Sequence, residues 1–151
     1  MKTSPQLSVI IPTYNRAALI RKALESVLQQ TFSNYEIIVV DDGSTDRTED
    51  HVAQFVAERP AAEDRVRFFF QKNQGKSVAL NYGLSEARGE WIAFLDSDDV
   101  WLPVKIEEQF RALHQFAPLS EACFTDARFQ NSWLRRALLG SRRVFLWRLL
   151  A

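Results

Sequence analysis

Cysteine occurs once in this 151-residue chain, at Cys123. A single thiol excludes an internal disulfide and is compatible with a reducing compartment. Cys123 itself is expected to be a small buried hydrophobe. Net charge is also missing, because nineteen basic and nineteen acidic residues cancel. Without a basic excess, a nucleic-acid ligand is not indicated. No apolar run approaches the roughly 20 residues needed to span a bilayer. Residues Met1–Gln6 are polar and the apolar run after them is about one strand long, so no signal peptide is expected. Glycine and proline number only five each, and no linker, repeat or low-complexity stretch breaks the chain. What is present is core-forming material, 46% hydrophobic and 12% aromatic, in a length that suits one domain.

The charge balance hides an asymmetry. Residues 133–151 hold five arginines and no acid, which leaves fourteen basic against nineteen acidic groups before them. Arginine pairs at 135/136 and 142/143 lie seven apart, with Leu138 and Leu139 between them and Trp133 and Trp147 on either side. This pattern predicts a basic amphipathic helix over 132–151. Such a helix can lie on an anionic membrane surface; the alternative is packing on the body of the domain, residues 1–131.

Strand and helix periods alternate along that body. Leu7–Pro12, Tyr35–Val40, Val66–Phe70 and Trp91–Leu95 read as strands, and Ala122–Thr125 as a short fifth. Helices are expected over Ala17–Gln30, Asp46–Arg59, Lys76–Ala87 and Pro103–Phe116. Ser44 or Thr45 is the expected cap of the second helix, Gly89 the stop of the third, and Pro103 the start of the fourth. Alternation of this kind predicts an α/β fold, a mostly parallel central sheet with helices on both faces. Ligands of such sheets sit beyond the carboxyl ends of the strands.

Polar clusters fall at those ends. Asp96-Ser97-Asp98-Asp99 follows the fourth strand. If strand alternation carries on through it, Asp96 and Asp98 face the same way. Adjacent carboxylates repel unless a cation lies between them, and oxygen-only ligands suit Mg²⁺ or Mn²⁺ bridging to substrate phosphates. The bland alternative is a solvated turn capping the next helix. Pro12-Thr13-Tyr14-Asn15-Arg16 offers a tyrosine able to stack on a flat base, or else an ordinary turn with Asn15 as cap. Asp41-Asp42-Gly43-Ser44 offers carboxylates for a base imide or ribose hydroxyls, or else a turn. Asn73-Gln74-Gly75-Lys76-Ser77 lacks the first glycine of a phosphate-binding P-loop, which excludes that hydrolase class. Its Gly75 turn, helix amides and Lys76 could still face an anion.

In combination, the order and spacing of these segments carry more than any one of them. Val9–Arg16, Ser26–Thr31, Glu36–Asp46, Asn73–Gly75 with Ala79–Gly83, and Ala87–Asp99 strongly resemble family 2 glycosyltransferases over roughly residues 7–117. The resemblance implies a GT-A type, Rossmann-like nucleotide-sugar-binding fold and an inverting transfer from a nucleotide-diphospho-sugar, UDP-linked by default. It implies donor contacts from Pro12, Thr13, Tyr14, Asn15, Arg16, Asp41, Asp42, Gly75, Lys76, Asp96 and Ser97. Asp98, with Asp99 beside it, matches the position that ligates Mn²⁺ or Mg²⁺. The implied acceptor is a saccharide or lipid-linked saccharide of cell-envelope polysaccharide synthesis, met in the cytoplasm or on the cytoplasmic face of the membrane. The family's catalytic base lies downstream of the aspartate cluster. Here Asp126 is the only acid after Glu121, and it comes too early in the order of elements to be a good candidate. The alternative is a non-catalytic nucleotide-sugar-binding module that docks to a membrane or partner.

Overall fold

In the computed structural model the backbone is described for residues 4–116, 122–125 and 144–148, and side chains for residues 4–115. The elements are β1 (Leu7–Thr13), α1 (Ile20–Leu28), β2 (Tyr35–Asp41), α2 (Thr48–Ala57), α3 (Pro60–Glu63), β3 (Val66–Phe70), α4 (Lys76–Glu86), β4 (Trp91–Phe94), α5 (Lys105–Phe116), β5 (Ala122–Thr125) and β6 (Val144–Arg148). They build a single sheet in the order β3-β2-β1-β4-β6-β5. β1 pairs in parallel with both β2 and β4, and β2 pairs in parallel with β3. The chain therefore steps outward from β1 to β3, then crosses back to place β4 on the other side of β1. That reversal between β1 and β4 is the topological switch point where open sheets of this class bind ligands.

Side-chain alternation assigns the two faces. Leu7, Val9 and Ile11 of β1 join Ile37, Val39, Ala93 and residues of α1, α2, α3 and α5 in one core. Ile10, Ile38, Val40 and Ile92 turn the other way and meet Ala79 of α4. β1 and β2 are buried along their whole length, as expected of central parallel strands covered on both sides. The α/β class and the helices on both faces agree with the sequence.

Several local expectations needed correction. β6 pairs antiparallel with β4 and with β5, so residues 144–148 are strand and not part of a helix. The physical reason is local: Val144, Phe145 and Trp147 are β-branched and aromatic, and β4 offers an unpaired edge to such a segment. The remainder of the proposed tail helix, and Asp126, lie outside the described residues, as does the Cys123 side chain. α2 starts later than its expected caps, at Thr48, because the Asp46 carboxylate accepts from Thr48 N at 3.0 Å. α5 begins at Lys105, with Pro103 in a preceding turn. α4 ends at Glu86, capped by Ala87. Gly89 serves close packing instead: a Cβ there would lie 2.6 Å from Leu7 C and 2.6 Å from Ser8 N. The single turn α3 has no periodic signal long enough to read. Among the described residues no helix is long and apolar enough to cross a membrane.

The opposite rim of the sheet from the switch point is held by a partly buried ionic network around the buried Glu36. Glu36 accepts from Ser8 Oγ at 2.7 Å, from Arg88 N at 2.8 Å and from Arg67 at 3.2 Å. Arg67 also donates to Glu86 Oε2 and to the Glu86 carbonyl, each at 2.7 Å. Without Glu36, Arg67 keeps Glu86, but the Ser8 hydroxyl and the Arg88 amide lose their carboxylate acceptor, and a buried donor left unpaired costs roughly 1–3 kcal/mol. Glu36→Ala is therefore expected to lower unfolding stability by about 2 kcal/mol in a denaturant titration. A loss below about 0.5 kcal/mol would show the network to be dispensable.

Candidate functional site

The loops leaving β1 and β2 are tied through Asn15. Its backbone sits at φ 51, the left-handed conformation adopted by no other described non-glycine residue. Asparagine tolerates that region better than most side chains. The turn aims its carboxamide oxygen at Thr45 N, 2.8 Å away, and Asp46 N at 3.3 Å. Return bonds run from Asn15 N to Ser44 Oγ at 2.8 Å, Arg16 N to Thr48 Oγ1 at 3.0 Å and Ala17 N to Asp46 Oδ2 at 3.1 Å. Asn15 thus caps the neighbouring loop, not its own helix. Pro12 pairs with Val40 inside the sheet. Thr13, at the strand end, is buried, and its hydroxyl has no hydrogen-bond partner among the described residues. Tyr14 stands 45% exposed on the same loop. Arg16 is exposed and donates to the Asn15 carbonyl.

Asp41 ends β2, Asp42 follows it, and the two do different work. Asp41 Oδ1 accepts from Ser44 N at 2.8 Å, shaping its own turn. Asp42, 4% exposed, reaches to the next loop. It accepts from Gln71 Nε2 at 2.7 Å, Gln74 N at 2.9 Å and Gly75 N at 2.8 Å. Burial opposes its charge, yet the bonds from Gln74, Gln71 and Gly75 together outweigh that and hold the carboxyl below its ordinary value. Gly75 then turns at φ 95, where a side chain would be strained, and opens α4. This places Lys76 at the helix N-terminus. A cation is disfavoured there, and Lys76 Nζ meets a compensating carboxylate, Asp96 Oδ1, at 2.5 Å.

The acidic segment is a turn. β4 stops at Phe94, Leu95 N still pairs with Ile10 O at 3.0 Å, and Asp99 N closes back on Asp96 O at 2.9 Å. Strand alternation therefore does not reach Asp98, and the argument that it sets Asp96 and Asp98 on one face fails. Asp96 is half-buried beside Lys76, Ser97 is buried and Asp98 is exposed. The structure brings Asp96 and Lys76 together at the switch point, and ties the Asn15, Asp42 and Gly75 loops into one rim.

No group of three or more His, Cys, Asp or Glu side chains among the described residues is placed to hold a metal alone. The donor set nevertheless fits a hard cation. Mg²⁺ and its relatives usually take one or two carboxylates, with water and substrate phosphate completing the shell, instead of an all-protein cage. Asp98, exposed beside Asp96, meets that description.

Sequence reasoning missed Gln71, Ser44, Asp46 and Thr48 as the partners that shape these loops. Asp46 resembles Asp42 in character: burial opposes its charge, and bonds from Thr48 Oγ1, Ala17 N and Thr48 N hold its carboxyl below the ordinary value. Ser44 and Asp46 carried a signal, since short oxygen-bearing side chains cluster where they bond backbone amides. A lone glutamine after β3 carried none.

The model of the family described as glycosyl transferase family 2 matches residues 8–149. An uncharacterised glycosyltransferase of a Nostoc species is 47% identical over 102 residues, covering 68% of this chain and 31% of its own length. A putative teichuronic acid biosynthesis glycosyltransferase of Bacillus subtilis, TuaG, is 41% identical over 106 residues, 70% of this chain and 40% of its own. Among solved structures, residues 1–349 of S. aureus TarS in complex with UDP-GlcNAc superpose with TM-score 0.74 at 27% identity, over 84% of this chain and 36% of that one. A mannosyltransferase of Pyrobaculum calidifontis, solved in complex with GDP-Man and Mn²⁺, superposes with TM-score 0.77 at 23% identity, over 97% of this chain and 45% of that one. The latter likeness shows the fold. The chain spans about a third of the length of the Nostoc relative.

Two outcomes follow from the loop geometry. Asn15→Ala loses the carboxamide bonds and with them the local hydrogen bonding that helps asparagine tolerate positive φ, for an expected cost of about 2–3 kcal/mol. Asn15→Gly restores the backbone freedom and should cost less; equal losses in thermal unfolding would contradict the φ argument. A carboxyl held below its ordinary value contributes stability above the unfolded value of about 3.9 and loses it as pH falls through the folded value. Hydrogen exchange of residues 71–76 should therefore rise as pH drops below about 4 in the unaltered chain, after correction for intrinsic rates. In Asp42→Asn it should already be raised at neutral pH.

Proposed function

The chain belongs to glycosyl transferase family 2, and from that premise we propose that it binds a nucleotide-diphospho-sugar at the carboxyl ends of β1–β4 and serves its inverting transfer to a saccharide or lipid-linked acceptor. The single observation that carries this is the meeting of Lys76 and Asp96 at the switch point, with exposed Asp98 in the same turn. Cationic, acidic and amide groups there match the charge distribution of a metal-bound diphosphate.

Tyr14 stacks on the nucleobase, and Thr13 supplies the unpartnered hydroxyl beneath it. A carboxylate offers about four acceptor positions, so Asp42, with three in use, retains one for a base imide or ribose hydroxyl. The α4 N-terminal amides after Gly75 and the Lys76 ammonium face the diphosphate. Asp98 and Asp99 hold Mn²⁺ or Mg²⁺, which when bound neutralises charge on the departing diphosphate. In the transfer itself an acceptor hydroxyl attacks the anomeric carbon, the bond from that carbon to the diphosphate oxygen breaks, and a carboxylate takes the hydroxyl proton. No described residue is assigned that last role, and Asp126 lies outside the described residues.

UDP-GlcNAc in the TarS complex supports a uridine diphosphate donor, and the teichuronic acid assignment of TuaG supports an envelope saccharide as acceptor. We place the reaction in the cytoplasm or on the cytoplasmic face of the membrane, where such donors are used. The alternative reading is a non-catalytic donor-binding module that docks to a membrane or partner.

Isothermal titration with UDP and UDP-GlcNAc, with Mn²⁺ or with EDTA, tests the assignment. Tyr14→Ala should weaken UDP binding by about 1–3 kcal/mol, the range of a lost base stack. Asp98→Ala should remove the Mn²⁺-dependent part of the affinity. Binding of UDP and Mn²⁺ by Asp98→Ala equal to the unaltered chain sinks the metal assignment. Tight binding without sugar release in the presence of acceptors selects the module over the enzyme.

A further inference from the structure

The Gln30-Thr31 pair belongs to one of the motif segments, yet neither residue touches the loops described so far. Gln30 lies just past α1, more than nine-tenths buried. Its carboxamide is bonded at both ends. Nε2 donates to Ser26 O at 3.0 Å, within α1, and to Leu102 O at 2.7 Å. Oε1 accepts from Ile106 N at 3.1 Å, an amide in the first turn of α5 that has no intrahelical partner. Thr31 adds two bonds, N to Pro103 O at 2.9 Å and Oγ1 to Glu107 Oε2 at 2.7 Å.

Ile106 and Glu107 are in the first turn of α5, and Leu102 and Pro103 are the far end of residues 95–104, the loop before it that carries Asp96–Asp99. Its near end is pinned by Leu95 N on Ile10 O, and its middle by Trp101, 6% exposed within the main core. Between these anchors the chain shows Val100, Leu102 and Val104 to solvent, so apolar burial of those side chains cannot hold it.

We propose that Gln30, assisted by Thr31, is the positioning residue of the acidic loop: it fastens residues 102–106 to the end of α1 and so sets where the Asp96 and Asp98 carboxylates stand. The device couples an element of the nucleotide side, α1, to the turn expected to meet cation and diphosphate. It rests on the donor-site reading above for its purpose, though not for its geometry.

Gln30→Met keeps the length of the side chain and removes both hydrogen-bonding ends. In hydrogen exchange of the full chain, amides of residues 95–106 should exchange about tenfold faster while those of residues 41–48 stay unchanged. In titrations with UDP, binding in EDTA should stay within about twofold, while most of the strengthening given by Mn²⁺ is lost, on the order of fivefold or more. A residue that merely supports the fold would weaken both arms alike. Thr31→Val keeps the bond from Thr31 N to Pro103 O, should give a smaller change of the same pattern, and carries both readouts if Gln30→Met does not fold. Unchanged exchange at 95–106, or a parallel loss in EDTA and in Mn²⁺, overturns the proposal. An unaltered chain that gains nothing from Mn²⁺ refutes the donor–metal reading instead, and the exchange arm still decides whether Gln30 holds the loop.

Discussion

A carboxylate that is 4% exposed must be compensated or it will be neutral. Asp42 is compensated by donors from the β3–α4 loop: Gln71 Nε2, Gln74 N and Gly75 N. That bond set fixes more than a charge. It sets the Gly75 turn, which begins α4, which places Lys76 where it meets Asp96. The rim of the sheet is thus a chain of polar links across successive loops. Asn15 joins the first to the second, Asp42 the second to the third, Lys76 the third to the fourth. Few of these residues contribute to either apolar core, so hydrogen bonds and not packing determine the shape of this surface.

The links differ in strength. Asn15 and Asp42 bond backbone amides, and Asp42 is shielded from water. The Lys76–Asp96 pair is close at 2.5 Å but well exposed, with side chains 58% and 32% accessible. Exposed ion pairs contribute little and exchange partners readily. Under the proposed donor reading, the firmly bonded Asn15–Asp42 side would meet base and ribose, and the loosely paired Lys76–Asp96 side the diphosphate. The first must select; the second must accept several negative charges and give them up again.

Much of this was legible in the sequence. Apolar runs such as Val9–Ile11 and Ile37–Val40 are long, β-branched and bounded by Pro and Asp-Asp-Gly, so strand and order were readable. The polar clusters were readable as lying at the carboxyl ends of the strands, and the structure sets them along one rim of the sheet. What could not be read was which polar side chain would serve whom. Asp42 carries the composition of a ligand contact and spends most of its capacity on Gln71 and its neighbours. Asp96–Asp99 reads as a continuing strand because Trp91–Leu95 reads as one, yet β4 ends at Phe94, Leu95 N makes a last bond to Ile10 O and the chain then turns. Residues 144–148 read as helix from their arginine spacing, whereas the open edge of β4 drew Val144–Trp147 into the sheet. Tertiary partners decided each case, and periodicity does not report them.

The central claim is that the turn after β4 and the three loops beside it form one donor site. It is tested most directly by a crystal structure of the chain with UDP and Mn²⁺. The account predicts the uracil ring against Tyr14, Mn²⁺ on Asp98, and Lys76 Nζ drawn from Asp96 to within about 2.8 Å of a diphosphate oxygen. A nucleotide bound away from this rim, with Lys76 still on Asp96 and Asp98 without metal, would contradict it.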